Sequence, residues 1–205
     1  MRKEHYYERA GTLDPKLVAR YWRLVAPAKR VLDVGCGQGC FGRLKPVATA
    51  EVFGVDIDPI AVEAASRFER TTQVDLDSGI LPFEAAVFDA VFAKDVLEHL
   101  TRPWILLAEI RRVLATGGRI VVSVPMEYPK SVWSDYTHVR GYTRDAVANL
   151  LADAGFEVVH VVPMGGIPGF GRLGWIEAIP RVLRVPGMRR LFGASWEVLA
   201  RRTAD

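Results

Sequence analysis

The sequence predicts a doubly wound α/β fold, a mainly parallel seven-stranded sheet covered by helices on both faces, with an antiparallel last strand. Three observations predict it. Short apolar runs alternate with capped, amphipathic stretches, the pattern of parallel strands joined by helices. The run from Val31 to Val34 breaks into a loop with glycine at every second position, Gly35, Gly37 and Gly39. A second apolar run, Val52 to Val55, then ends in Asp56, fourteen residues past Gly42. Strand, glycine loop, helix, strand and terminal acid together describe the nucleoside-binding half of such a sheet.

The elements follow in order. Asp14-Pro15 is an N-cap followed by proline at the first helical position, opening a helix to about Leu24 with Leu17, Val18, Tyr21 and Leu24 on one face. A helix follows the glycine loop. Asp58-Pro59 repeats the signal and opens a helix from Ile60 to about Phe68. A short strand near Thr72 to Val74 leads into Asp75-Leu76, and Val87 to Ala93 is the fourth strand. Pro103 to Leu114 is a helix closed by Thr116-Gly117-Gly118, before a fifth strand from Arg119 to Val124. Thr143 caps a helix ending at Ala154-Gly155, and Phe156 to Val162 is the sixth strand. The alternating segment Ser195 to Arg202 is the last, returning antiparallel beside the sixth.

Length and composition narrow the class. The 205 residues suit one domain, 1–205, with an N-terminal cap segment and first helix over 1–28 and an insert over 165–193. Half the residues are apolar, a quarter are charged, and the net charge is only +3, so nucleic acid is not an expected partner. No apolar run is long enough to span a bilayer, and the first fifteen residues lack a signal-peptide core, so the expected location is cytoplasmic. Cys36 and Cys40 have no further cysteine or histidine nearby in sequence, and no metal is expected.

The loop decides which nucleoside. A dinucleotide loop wants its third glycine at position 40, which is Cys40, and Asp33 just upstream would repel a pyrophosphate. A carboxylate there suits a ligand carrying ammonium or sulfonium. Asp56 is placed to accept two hydrogen bonds from a vicinal diol, charge-assisted bonds worth roughly 1.5–3 kcal/mol each. On these residues the chain resembles the class I S-adenosylmethionine (SAM) dependent methyltransferases, whose sheet is Rossmann-like and ends in an antiparallel strand. The resemblance runs from about Arg30 to Val162 and implies SAM as cofactor and S-adenosylhomocysteine as product. It implies that Asp33, Gly35, Gly37 and Gly39 hold the methionine part, Asp56 the ribose, and Ile57, Asp75 and Leu76 the adenine. Lys94 and Asp95, after the fourth strand, would border the methionine end. Ala115-Thr116 replaces the Lys-Pro usual in the family's turn before the fifth strand.

Methyl transfer asks mainly that an acceptor be held in line with the activated methyl group. An oxygen acceptor also needs a base. The segment from Ser134 to Thr143 resembles the family's His-x-Arg-x-aromatic stretch. There His138 is a candidate base with Asp135 orienting its ring, and Arg140 or Tyr142 a candidate anchor. The other reading is that His138 and Arg140 pin this loop to the domain. Tyr6 and Tyr7 either close the cofactor pocket or pack elsewhere. Residues 165–193 carry many apolar residues and five arginines, Arg172, Arg181, Arg184, Arg189 and Arg190, against one acid, Glu177. This pattern fits a packed cover, a lid over a bulky or lipid-linked acceptor, a dimer contact, or a surface resting on anionic lipid at the inner membrane. The expected protein is a monomeric or homodimeric methyltransferase acting on a small-molecule, sugar- or lipid-linked acceptor. A catalytically silent partner protein of the same fold and an NAD(P)-dependent oxidoreductase are the alternatives.

Overall fold

The computed structural model describes residues 13–46, 50–127, 132–165 and 193–204. The elements are α1 (Pro15–Val25), β1 (Arg30–Val34), α2 (Cys40–Arg43), β2 (Glu51–Asp56), α3 (Pro59–Ala65), β3 (Arg70–Gln73), β4 (Phe88–Lys94), α4 (Pro103–Val113), β5 (Leu114–Pro125), α5 (Arg144–Asp153), β6 (Phe156–Gly165) and β7 (Gly193–Arg202). Seven strands form one sheet in the order β3-β2-β1-β4-β5-β7-β6. The first five pair in parallel, whereas β7 runs antiparallel to both neighbours. β7 returns antiparallel beside the sixth strand, as expected, and lies between it and β5.

Strand alternation divides the core between the two faces of the sheet. Val31, Phe92 and Val121 lie with Val18, Tyr21, Trp22 and Val25 of α1. Leu32, Val91, Ile120 and Val122 lie with Leu106, Leu107 and Ile110 of α4 and Val147 and Leu151 of α5. The buried stripe of α1 is therefore turned from the expected one, because Trp22 and Val25 reach the sheet while Leu17 and Leu24 are only half-buried. The caps form as their residues dictate. Asp14 accepts from the Lys16 amide, Asp58 from Ile60 and Ala61, and Thr143 from Ala146.

One boundary differs from expectation. The chain leaves α4 at Leu114 directly into β5, and Thr116-Gly117-Gly118 sits within that strand's irregular start, where the register to β4 shifts. Gly117 takes φ +76° there, so a local kink replaces the expected turn.

β1 lies between β2 and β4, so the crossover direction reverses beside it. Crevices at such reversals, beyond the strands' C-terminal ends, bind ligands in open α/β sheets.

Candidate active site

Two adjoining cavities occupy that edge. The first, about 320 Å³, is lined by the glycine loop, Asp33, Asp56, Ile57, Asp75, Leu76 and His99. The second, about 420 Å³, is lined by Asp14, Tyr21, Glu98, Ser123, Asp135 and His138 among others. Lys94 and Asp95 line both.

The first part of the loop is tied to the end of β2. The Gly35 and Cys36 amides donate to Val55 O at 2.8 and 3.1 Å, and the Gly37 amide donates to Asp56 Oδ2 at 3.0 Å. Asp56 Oδ1 accepts from the Asp58 amide at 3.0 Å. Each oxygen of this carboxylate takes one backbone donor, which fixes its orientation and leaves acceptor capacity toward the cavity. Gly39 plays a different part from Gly35 and Gly37. It does not line the cavity but sits at φ +74°, where an added Cβ would lie 3.0 Å from Ala65. Its glycine lets the loop close onto α3.

Ile57 is 54% exposed beside the cavity, whereas Leu76 is buried in its wall. Asp75 Oδ1 accepts from the Asp77 amide, so this carboxylate caps a short turn as well as lining the cavity. Lys94 and Asp95 form an ion pair. Asp95 holds φ +54°, and its Oδ1 accepts from Ser123 Oγ at 3.2 Å. A non-glycine residue in this region is strained, and here the strain turns a carboxylate to the boundary between the cavities.

Asp33 is only 2% exposed, and its Oδ2 has no hydrogen-bond partner within the described residues. Beneath it lies Glu69, whose Oε1 accepts from the Gly42 amide at 2.8 Å. Burial pushes the Asp33 carboxyl well above its usual range, and the Glu69 charge pushes it further. Nothing in the sequence singles out Glu69, since it stands in a polar stretch before a short edge strand.

The acceptor-side assignments need correction. Asp135 does not orient His138. Its Oδ1 accepts from the Thr137 amide and hydroxyl at 2.8 and 2.6 Å, and Thr137 Oγ1 lies 3.0 Å from His99 Nδ1. His138 Nδ1 instead donates to Val132 O at 2.6 Å, with Nε2 4.0 Å from Glu98 Oε1. Tyr142 is buried with its hydroxyl donating to Leu97 O at 3.1 Å, and it lines neither cavity. Arg140 donates to Thr101 O, pinning the loop to the body of the domain. Tyr6, Tyr7 and nearly all of the 165–193 insert lie outside the described residues. The chain on either side of 166–192, Met164-Gly165 and Ala194-Ser195, lines the second cavity.

Comparison with known proteins decides what kind of crevice this is. Residues 32–122 match the methyltransferase domain family. A Mycobacterium tuberculosis protein, named a probable S-adenosylmethionine-dependent methyltransferase, is 32% identical over 191 residues, 87% of this chain and 69% of that protein. The chain belongs to the S-adenosylmethionine-dependent methyltransferases. A protein of Penicillium expansum named an O-methyltransferase is 33% identical, covering 75% of this chain and 62% of that protein. The curated relatives are longer, the shared part being 47%, 69% and 62% of three of them. A solved SAM-dependent methyltransferase from Archaeoglobus fulgidus superposes with TM-score 0.77 at 22% identity, over 98% of this chain and 100% of that one. At that identity the likeness is one of fold.

Membership removes the oxidoreductase alternative, and the residues fit the family's cofactor. SAM carries a diol, an exposed adenine, a sulfonium and an amino-acid end. The methyltransferase crevice offers an oriented carboxylate at Asp56, an apolar ledge at Ile57 and Leu76, and an orphaned buried oxygen at Asp33. Cys36 and Cys40 are buried thiols, small residues packed within the loop. Among the described residues, no helix is long and apolar enough to cross a membrane.

Proposed function

We propose that this chain binds SAM in the first cavity and directs its methyl group to a hydroxyl of a small molecule held in the second. The observation that carries this reading is the shared wall: Lys94 and Asp95 belong to both cavities, so ligands filling them meet there. When bound, SAM supplies a methyl group already activated by a positive sulfur. The protein's residues then have three tasks. Asp56 grips the ribose diol, and Ile57, Asp75 and Leu76 border the adenine. Asp33 and the glycine loop face the methionine part, and the Lys94–Asp95 pair offers one charge of each sign to a zwitterionic end. Holding both partners at this edge converts a bimolecular reaction into a positioned one.

The second cavity favours a neutral or cationic acceptor. Asp14, Asp95, Glu98 and Asp135 line it against Lys94 and His138, so an anionic acceptor would meet repulsion. A hydroxyl acceptor loses its proton as the methyl arrives, and Glu98 and His138 stand on that wall to receive or share it. The Penicillium expansum relative's name supports oxygen as the acceptor atom. The test is calorimetry with SAM, followed by transfer of labelled methyl to a panel of phenols, polyols, amines and carboxylic acids. Saturable SAM binding with methylation of the phenol or polyol set is expected. Failure to bind SAM would overturn the reading.

A further inference from the structure

The geometry points to a binding site for a divalent transition-metal cation formed by Glu98, His99 and His138, in the wall between the two cavities. One donor atom from each residue lies within 4.8 Å of the others, and His138 Nε2 is 4.0 Å from Glu98 Oε1. The histidine rings meet edge to face with centroids 4.7 Å apart.

Hydrogen bonding among the described residues assigns the ring tautomers. Val132 O can only accept, so His138 Nδ1 carries the hydrogen and Nε2 the electron pair. The Asp135 carboxylate can only accept as well, so the Thr137 hydroxyl hydrogen goes to Asp135 Oδ1. Thr137 Oγ1 therefore accepts from His99 Nδ1–H, and the electron pair of that ring also resides on Nε2. Carbonyl and carboxylate groups behind an imidazole are the usual means of orienting a metal-binding histidine.

The carboxylate supplies the second, independent observation. Glu98 is 1% exposed, and its Oε2 has no hydrogen-bond partner among the described residues. An unpaired buried carboxylate is costly. Asp95 and Asp135 add negative charge near it, while the nearby Lys94 already pairs with Asp95. A cation bound to this cluster would offset that excess. With the cation bound, Glu98 and His138 are ligands and no longer receive the acceptor's proton; the cation would instead acidify the acceptor hydroxyl, whose proton passes to water. Two imidazoles and one carboxylate suit zinc, iron, cobalt or manganese in the divalent state and leave a coordination position for another ligand. Tetrahedral zinc with bonds of about 2.1 Å holds donor atoms roughly 3.4 Å apart, so modest side-chain rotation closes the cluster.

The test needs no methyl donor and so stands apart from the SAM reading. Untagged protein, stripped with a chelator, is titrated with Zn²⁺ alone and separately with Co²⁺ alone. One ion per chain is expected, with the visible absorption of low-coordinate cobalt. Glu98→Gln and His138→Ala should each weaken Zn²⁺ binding at least ~100-fold with unchanged far-UV circular dichroism. Thr137→Val removes the group behind His99, together with its bond to Asp135, and should weaken it ~10–100-fold, which keeps the test open if a ligand variant misfolds. Absence of one-to-one binding, or affinity indifferent to all three substitutions, would overturn the site.

Discussion

Asp33 and Glu69 bring two carboxyl groups together in the core directly beneath the glycine loop, where the burial of each raises its pKa. Glu69 is pushed from its ordinary 4.5 up to about 7 by burial, although the Gly42 amide and Asp33 draw it back. Gly54 and Gly42 make room for it, since an added Cβ on either would strike the Glu69 side chain. A folded-state pKa above the unfolded one means that the native protein binds more protons between the two values. This contribution is full below pH 4.5 and is lost as pH rises through about 7. Thermal melts from pH 5 to pH 8.5 should therefore show the wild type losing stability relative to Glu69→Gln as pH rises. Parallel curves for the two proteins would remove the coupled pair.

The same pair makes ligand binding proton-linked. A cationic group settling beside Asp33 favours the ionised carboxylate, so SAM binding near neutral pH should release protons. Calorimetry in buffers of different ionisation enthalpy reads this directly. The apparent binding enthalpy should vary with buffer in wild type and vary less in Glu69→Gln.

Asp56 is expected to carry most of the sugar recognition. Its two oxygens are each fixed by one backbone amide, so Asp56→Ala removes both diol contacts at once. At roughly 1.5–3 kcal/mol per charge-assisted bond, SAM affinity should fall at least ~100-fold. Asp56→Asn keeps the shape and can still accept from Gly37, so it should lose less. Equal and small losses in both variants would place the ribose elsewhere.

These crevice-lining residues were legible because local sequence constrains them. Asp56 follows its own strand, its amide partners come from a loop marked by glycine, and the Asp58-Pro59 cap is complete within four residues. The contacts missed join distant partners. Glu197 finds Arg20 across 177 positions, and His99 finds Thr137 across 38. Glu69 meets Asp33 only after three strands have paired. The motif around His138 does lead to a wall of the second cavity. It could not show that Asp135 turns toward Thr137, because that depends on a loop conformation no periodicity encodes.

Tyr142 shows how such a motif residue divides between chemistry and structure. Its hydroxyl donates to Leu97 O, whose other donor is the Leu100 amide at a long 3.4 Å. Tyr142→Phe should cost about 1 kcal/mol of stability, the low end for an under-satisfied buried carbonyl. SAM affinity and methyl transfer should stay near wild type. A loss of turnover exceeding the loss of stability would return this hydroxyl to the active site.

Glu197 poses the sharpest stability test, being a fully buried carboxylate in the middle of β7. Arg20 from α1 grips it with Nε 2.9 Å from Oε2 and a terminal nitrogen 2.7 Å from Oε1, while His160 Nε2 lies 3.7 Å away on β6. Burial alone would raise its pKa, but the nearby His160 ring and the hydrogen-bonded Arg20 guanidinium outweigh that and hold it below the usual range. Because the folded value is depressed, this contribution is present above the ordinary 4.5 and is lost as pH falls through the lower folded value. Arg20→Met strips one partner and leaves a buried charge, for which about 3–5 kcal/mol of destabilisation is expected at pH 7. Adding Glu197→Leu removes the stranded charge and should restore much of the loss, since an ion pair replaced by apolar groups is often neutral. Denaturant unfolding of the two variants decides between this account and one in which Arg20 merely packs on the sheet, where the double variant would be no more stable than the single.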